Sequence, residues 1–507
     1  LSVQLAKVQR LEVEDVRLQR YDVLIAKALS LCSRRYLSSG MVKEANDMPA
    51  QRLEFPKGFL WGAATAAHQN EGHNTNNDFW AWEQIPGHVV DNTTSGLACD
   101  WWQRAEEDFD RAAALNLNTL RLSVEWSRLE PEPGKWDEAA FDRYREMLQA
   151  LQARGLTPMI TLHHFTNPLW LAEQGGWTNP DIVAHFVRYA QQVVTSLGDL
   201  CQLWSTINEP NIYAAYAYVL GKWPPGEQNI FTALSVMRHQ ALAHAAAYHT
   251  IKQAQPQAQV GLVQHFAIFD PANPHSALDR LVARIRSTLI NWRIVEAVME
   301  GRLKFPLGLG RRQANLANTN DYLGFNYYGR HRLKFNLRAV GMLFAEEVLA
   351  PPENAWPKPW TDREIYPEGL YRFVTELYQR YQKPIYITEN GIADTTDDIR
   401  PGFILTHLAA VHRALQDGAD VRGYDYWTLV DNYEWVEGWT TRFGLIGLDP
   451  QTQTRTLRRS AQLYAEIAQA NAITAEMVRQ YAPQVMSQVS FVIPSAPFRT
   501  GLNERSE

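Results

Sequence analysis

Cysteine is nearly missing from this chain of 507 residues, which has only Cys32, Cys99 and Cys201. An odd number at wide spacing implies neither a disulfide framework nor a structural zinc site, and makes a reducing cytoplasm the default location. No uninterrupted apolar run reaches the roughly 18 residues that would suggest a membrane span. An excess of basic charge is lacking too. The net charge of −6 argues against nucleic acid as the main partner. No G-x-G-x-x-G or P-loop follows any short apolar run, so a nucleotide-binding sheet would have no phosphate cradle. There is no H-E-x-x-H, no internal repeat and no linker rich in Gly or Ser.

Aromatic residues, by contrast, are abundant: 17 Trp and 21 Tyr, in a chain that is 46% hydrophobic. A Trp-rich core is the plain explanation. Trp also suits sugar-binding clefts, because its flat face covers the apolar C–H face of a pyranose while its N–H stays free to donate. Residues 1–50 stand apart as an N-terminal extension. Lys27 interrupts the apolar centre of "LQRYDVLIAKALSLCSRRYLSSG", and Glu12, Glu14, Asp15 and Asp22 do not suit a transit peptide. An amphipathic accessory helix, or sequence upstream of a start at Met41, fits better. Residues 51–472 form one catalytic domain and 473–507 a C-terminal tail, which reads as polar with Pro and Gly breaks from about Ser487.

Within that domain, short apolar runs alternate with longer amphipathic ones. The short runs are "FLWGAAT" (from Phe59), "NTLRLSV" (Asn118), "TPMITLHH" (Thr157), "LWSTIN" (Leu203), "VGLVQH" (Val260), "YLGFNYY" (Tyr322), "PIYITEN" (Pro384) and "GYDYWTLV" (Gly423). Helical spacing is clear in Asp137–Gly155 and in Asn179–Gly198, the latter with Pro180 at its expected first helical position. Eight strands separated by helices imply parallel pairing with right-handed crossovers, and hence a single closed (β/α)8 TIM barrel.

Such barrels carry their chemistry where the strands finish, at the C-terminal face. The ends of these runs are polar: Gln69 in the loop after the first, then Arg121, His163 with His164, and Asn208 with Glu209. Later runs offer Gln264 with His265, Asn326 with Tyr327 and Tyr328, Glu389, and Asp431 through Trp435. A lone Glu at a strand end is usually solvated or serves a helix N-terminus. Two of them, in "NEP" and "ENG" and set among Trp and Tyr, point instead to a shared cavity. Adjacent strand residues face opposite ways, so His163 and His164 do not make a metal pair. A carboxyl pair in an aromatic pocket fits cleavage of a glycosidic bond. Burial and like charge should raise one pKa, giving an acid, while the other stays ionised with Arg121 as counter-charge.

Taken together, these segments resemble glycoside hydrolase family 1, the β-glucosidase and β-galactosidase family, from about Phe55 to Ala468. "FPKGFLWGAATAAHQNEG" is similar to its opening signature, and the resemblance gives Gln69 a glycone contact. "NTLRLSVEWSR" puts Arg121 on the arginine that supports the nucleophile, and "TLHHFTNPLW" puts His164 on the sugar-binding histidine. "TINEPN" implies a 2-hydroxyl contact for Asn208 and acid/base work for Glu209, and "ITENG" makes Glu389 the nucleophile. "GFNYY" implies Asn326 and Tyr328 beside that nucleophile. "YWTLVDNYEWVEGWTTRFGLIGLD" implies sugar contacts for Trp427, Glu434, Trp435 and Phe443.

Three positions depart from the family pattern. Phe165 replaces a Trp, Glu125 replaces a common Ser, and Arg363 stands where a Trp platform for the leaving group is common, with Trp356 or Trp360 as substitutes. The "DNYEW" segment, lacking the Ser of 6-phosphosugar enzymes, implies a neutral sugar. The resemblance thus implies a retaining exo-β-glycosidase, chiefly a β-glucosidase with side activity on β-galactosides and β-fucosides. Its carboxyls would be about 5–5.5 Å apart. The alternatives are a predominantly transglycosylating member or a non-catalytic sugar-binding relative. No cofactor and no metal is expected. The expected partner is a small-molecule β-glycoside or oligosaccharide, with no nucleic acid and no membrane; homo-oligomerisation is left open.

Overall fold

In a computed structural model that describes residues 52–489 and 491, each of the eight apolar runs forms a strand. They are β1 (Leu60–Ala64), β2 (Thr119–Ser123), β3 (Thr157–His163), β4 (Leu203–Asn208), β5 (Gln259–Pro271), β6 (Leu323–Phe335), β7 (Ile385–Asn390) and β8 (Val421–Trp427). Each pairs in parallel with the next, β8 pairs with β1, and the barrel is closed. Most strand residues are buried on both faces, which is why the runs read as nearly continuous apolar stretches rather than alternating ones.

Close approach inside the barrel explains Gly62 on β1. A Cβ there would lie 2.1 Å from Asp425 Oδ1 and 2.4 Å from Thr119 Cγ2, so no larger side chain fits. The outer helices follow their predicted spacing. In Glu138–Ala153 the buried residues are Ala140, Phe141, Tyr144, Met147, Leu148 and Leu151, and the Asp137 side chain caps the first turn by accepting from Ala140 N at 3.1 Å. The next helix spans Ile182–Leu197 and begins later than expected. Pro180 precedes it instead of opening it, because the Asn179 side chain accepts from Asp181 N at 3.0 Å in a turn that delays the start.

Two departures from the sequence expectations matter more. β5 and β6 each run to 13 residues, past the rim of the barrel. Beyond that rim, β6 also pairs antiparallel with Ala345–Val348 and Arg363–Glu364, making a small sheet that stands over the C-terminal face. The second departure concerns the expected tail from 473. Ala472–Thr474 pairs antiparallel with Arg52–Glu54, the helix Ala475–Tyr481 follows, and Ile473, Val478 and Tyr481 are buried. The packed body therefore continues to about residue 489, because an apolar strand and helix face pack on the outer helices Arg400–Gln416 and Arg459–Ala470. The extension 1–50 and the last residues of the tail lie outside the described residues. Among the described residues, no helix is long and apolar enough to cross a membrane.

If the segment after 472 belongs to the body, Ile473→Ala should cost about 2–5 kcal/mol of unfolding free energy, as truncations in packed cores do. A substitution in a loose tail would cost less than about 0.5 kcal/mol. Urea unfolding of the two proteins separates these outcomes.

Candidate active site

Glu209 and Glu389 come from β4 and β7, on different sides of the barrel, and both line one pocket of about 110 Å3 at its C-terminal face. Glu389 is the penultimate residue of β7. Glu209 follows β4 directly and precedes Pro210, the first residue of the helix Pro210–Tyr218. Its φ of +43° is a left-handed conformation, costly for a residue with a side chain. Phe165 (φ 77°) and Trp435 (φ 46°), which line the same pocket, share that strain. Such conformations persist where surrounding packing overrides local preference.

Arg121 joins the two halves of the site. Fully buried, its guanidinium donates to Glu389 Oε1 at 2.6 Å, to Asn208 Oδ1 at 2.7 Å, to Thr161 Oγ1 at 3.0 Å and to the Thr388 carbonyl at 3.2 Å. The Tyr328 hydroxyl donates to the other Glu389 oxygen at 2.7 Å. The Glu389 carboxylate is thereby held from both sides, as a buried anion requires. On the opposite carboxyl, Asn326 Nδ2 donates to Glu209 Oε1 at 2.8 Å, and His265 Nδ1 lies 3.0 Å from the same oxygen.

Asn326 lies beside Glu389 as expected, but its side chain bonds elsewhere. The expectation put it beside Glu389, whose register partner it is. Its Oδ1 instead accepts from Thr388 Oγ1 at 2.7 Å, which turns the amide donor toward Glu209 and Asn208. His265 received no role from the sequence, although it ends one of the polar strand tips. Its signal was that position; its ring stacks on Tyr328 with centroids 5.7 Å apart. Tyr216, Ile212 and Trp223 also line the pocket, from the helix after β4 and the loop that follows, where no sequence pattern marked them.

The remaining predicted residues gather on the far wall. His164 lies between Trp427 and Trp435, each 5.9 Å away and nearly parallel. Asn208 Nδ2 donates to His164 Nε2 at 3.1 Å, which leaves Nδ1 with the ring proton. Burial pushes the His164 pKa well below its ordinary value, so the ring is neutral. Gln69 Nε2 donates to the Tyr433 carbonyl at 2.9 Å and to Glu434 Oε2 at 3.3 Å. Among the described residues, Gln69 Oε1 and His164 Nδ1 are buried without a hydrogen-bond partner. Orphaned polar atoms of this kind beside a pocket suit a ligand rich in hydroxyls. Phe443 lines the pocket beside Tyr328 and Trp360, with ring centroids 6.2 and 5.7 Å away. Of the two candidates to replace the missing Trp, Trp360 reaches the pocket; Trp356 is 1% exposed and packs behind Tyr328 and Phe443. Arg363 lines the pocket too, its guanidinium carbon 4.8 Å from the Trp356 ring centroid and 5.5 Å from that of Trp360.

The carboxyls titrate as an interacting pair. Burial, opposed by Arg121 and reinforced by the Glu209 charge, pushes Glu389 up to about 7. Burial acts on Glu209 as well, but His265 and Asn326, helped by Arg121, outweigh it and hold Glu209 below the usual carboxylate range. One member of the pair is raised, and it is Glu389. Glu434 rises to about 8, through burial and the Glu389 charge. Near neutrality it can therefore donate a hydrogen bond as well as accept one.

A larger cleft of about 610 Å3 lies elsewhere, lined by residues such as His73, Arg128, Arg143 and Glu146, and contains neither member of the carboxyl pair. His331, Glu347 and Asp362 bring ligand atoms within 4.8 Å of one another. Arg286 (3.3 Å) and His331 Nδ1 (3.0 Å) already occupy the Glu347 carboxylate, so the cluster is engaged within the protein.

Comparison with known proteins gives the same picture. Residues 51–473 match the model of glycosyl hydrolase family 1. β-Glucosidase A of Thermotoga maritima is 30% identical over 83% of this chain and 99% of its own length. A β-galactosidase of Sulfolobus acidocaldarius is 29% identical over 88% of this chain and all of its own. The solved β-glycosidase from Pyrococcus horikoshii superimposes with a TM-score of 0.78 at 38% identity, covering 85% of this chain and 98% of that one. A parallel eight-stranded barrel, with paired glutamates at its strand ends and a match over most of the described chain, is a glycoside hydrolase, and the chain belongs to glycosyl hydrolase family 1.

Proposed function

We propose that the protein is a retaining exo-β-glycosidase, with β-glucosides as its main substrates and β-galactosides and β-fucosides as side substrates. The observation that carries this reading is the double tether on Glu389. Arg121 and Tyr328 each hold one oxygen, which aims the carboxylate at the pocket as a nucleophile and leaves it no freedom to activate water. Glu209, across the pocket, protonates the departing oxygen and then takes a proton from water as the covalent glycosyl intermediate is hydrolysed.

The raised member of the pair is Glu389, the reverse of what attack requires. A bound glycoside corrects this. Positive charge developing at the anomeric carbon favours the Glu389 anion, while an aglycone covering Glu209 strips its water and favours its neutral form. Gln69, His164, Asn208, Trp427, Glu434 and Trp435 grip the terminal sugar. Their hydrogen bonds strengthen as the oxocarbenium-like state forms. Relatives named β-glucosidase and β-galactosidase support a pocket that tolerates either configuration at the sugar's fourth carbon.

Three outcomes follow for nitrophenyl glycosides. Proton NMR of the first product should give the β-anomer; an α-anomer would refute the retaining mechanism. Glu389→Ala should abolish turnover of every glycoside, whereas Glu209→Ala should lose roughly 10²–10⁴-fold on alkyl glycosides. The Glu209 variant should lose far less on glycosides whose leaving group needs no proton, so equal losses on both substrate types would reassign it. His265→Asn tests the tuning of the acid. The acid works protonated, so the rate falls as pH rises through its pKa. His265 lowers the Glu209 pKa, so its replacement should move the basic limb of kcat/KM to higher pH. An unmoved or lowered limb would rule out a charge effect of His265 on Glu209.

A further inference from the structure

One ionisable group inside the barrel plays no part in the mechanism above. Asp425 stands on β8 two residues before Trp427, which lines the pocket, so both side chains face the barrel interior. Strand register puts Asp425 level with Gly62 of β1 and Thr119 of β2; Trp427, Ala64 and Arg121 make the next level up. Because Gly62 has no side chain, the carboxyl occupies the space over β1. A Cβ there would stand 2.1 Å from Asp425 Oδ1 and 2.4 Å from Thr119 Cγ2. No β1 side chain at this level therefore separates Asp425 from β2, the strand that carries Arg121.

Beneath it, Leu60, Met159, Leu203, Tyr322 and Tyr386 pack together near the starts of their strands. Asp425 is 3% exposed, and among the described residues its Oδ1 is buried without a hydrogen-bond partner. Burial penalises the charge of such a group, and an apolar side chain would fill the same space without that cost.

What the position offers is charge. Arg121 directs its donors to Thr161, Thr388, Glu389 and Asn208, so Asp425 acts on it through the electric field alone. Two carboxyls, Glu389 above and Asp425 below, thus draw on the same buried cation. Burial, opposed by Arg121 and reinforced by the Glu389 charge, pushes Asp425 up to about 7, the value that Glu389 also reaches. The two ionise over one range, and each charge makes the other's proton harder to remove. The Tyr386 and Tyr464 phenols, which also feel Asp425, are raised by burial and stay neutral there.

We infer that Asp425 is a positioning residue for the nucleophile: from beneath the pocket it competes with Glu389 for the Arg121 cation, and so sets the pH range in which Glu389 is available for attack. The inference rests on Glu389 being the nucleophile. Its test isolates that one ionisation. In a Glu209→Ala background, a dinitrophenyl β-glucoside needs no proton for its leaving group, so the rate of the first turnover rises with pH as Glu389 ionises. Adding Asp425→Asn removes a negative charge at nearly constant size. Glu389 should then lose its proton more readily, and the midpoint of the rise should move to lower pH by about half a unit or more. The plateau rate should stay close to that of the parent variant.

A group that only supports the packing would lower the plateau and leave the midpoint in place, so an unmoved or raised midpoint would overturn the inference. Asp425→Leu, which suits the apolar residues below, should displace the midpoint in the same direction and serves if the Asn variant does not fold. Mass spectrometry of the trapped intermediate keeps the two readings apart. An adduct on another residue, or none, would refute Glu389 as nucleophile and this inference with it. An adduct on Glu389 with an unmoved midpoint would strike the role of Asp425 alone.

Discussion

A fully buried guanidinium, Arg121, is the fixed point of this molecule. An arginine without solvent is tolerated only where every donor has a partner, and here the partners come from β3, β4 and β7. The Thr161 hydroxyl and the Thr388 carbonyl cost nothing in charge; the Glu389 carboxylate cancels the cation; Asn208 extends the network to Asn326 and so to Glu209. One cation inside the barrel thereby sets the relative placement of two acidic groups that lie 180 positions apart in the chain.

The same network explains the electrostatic asymmetry of the site. Both glutamates suffer desolvation, but their neighbours differ in kind. Glu389 has a cation on one side and faces the charge of its partner; Glu209 has a histidine, an asparagine amide and the start of a helix. Glu434, farther along the wall, feels the Glu389 charge and has no cation near enough to offset burial. Three carboxyls in one small space cannot all be ionised, and the distribution of protons among them depends on what fills the pocket. A protonated Glu434 and a neutral His164 give that wall donors without adding net charge.

Much of the fold could be read in advance because the barrel strands are buried on both sides. Each gives a compact apolar run with a polar end, as in "LWSTIN" before Glu209 and "PIYITEN" at Glu389. The site residues were legible for a related reason: strand ends have no structural need for Gln, His, Asn or Glu. Legibility failed where local composition was ambiguous. Ile473 and Val478 sit in a stretch that looked terminal yet are buried against the body. His265 looked like any polar strand end until its ring was found on Glu209, and Asn326 bonds Glu209 because Thr388 pulls its amide round.

The sequence by itself determined the barrel, its eight strands and many of the polar residues around the pocket, since these follow from apolar periodicity and from polar groups placed where no strand requires them. Tertiary structure alone decided which neighbour each of those residues meets. The direction in which a side chain's charge is tuned depends on groups brought close by folding, as with His265 on Glu209.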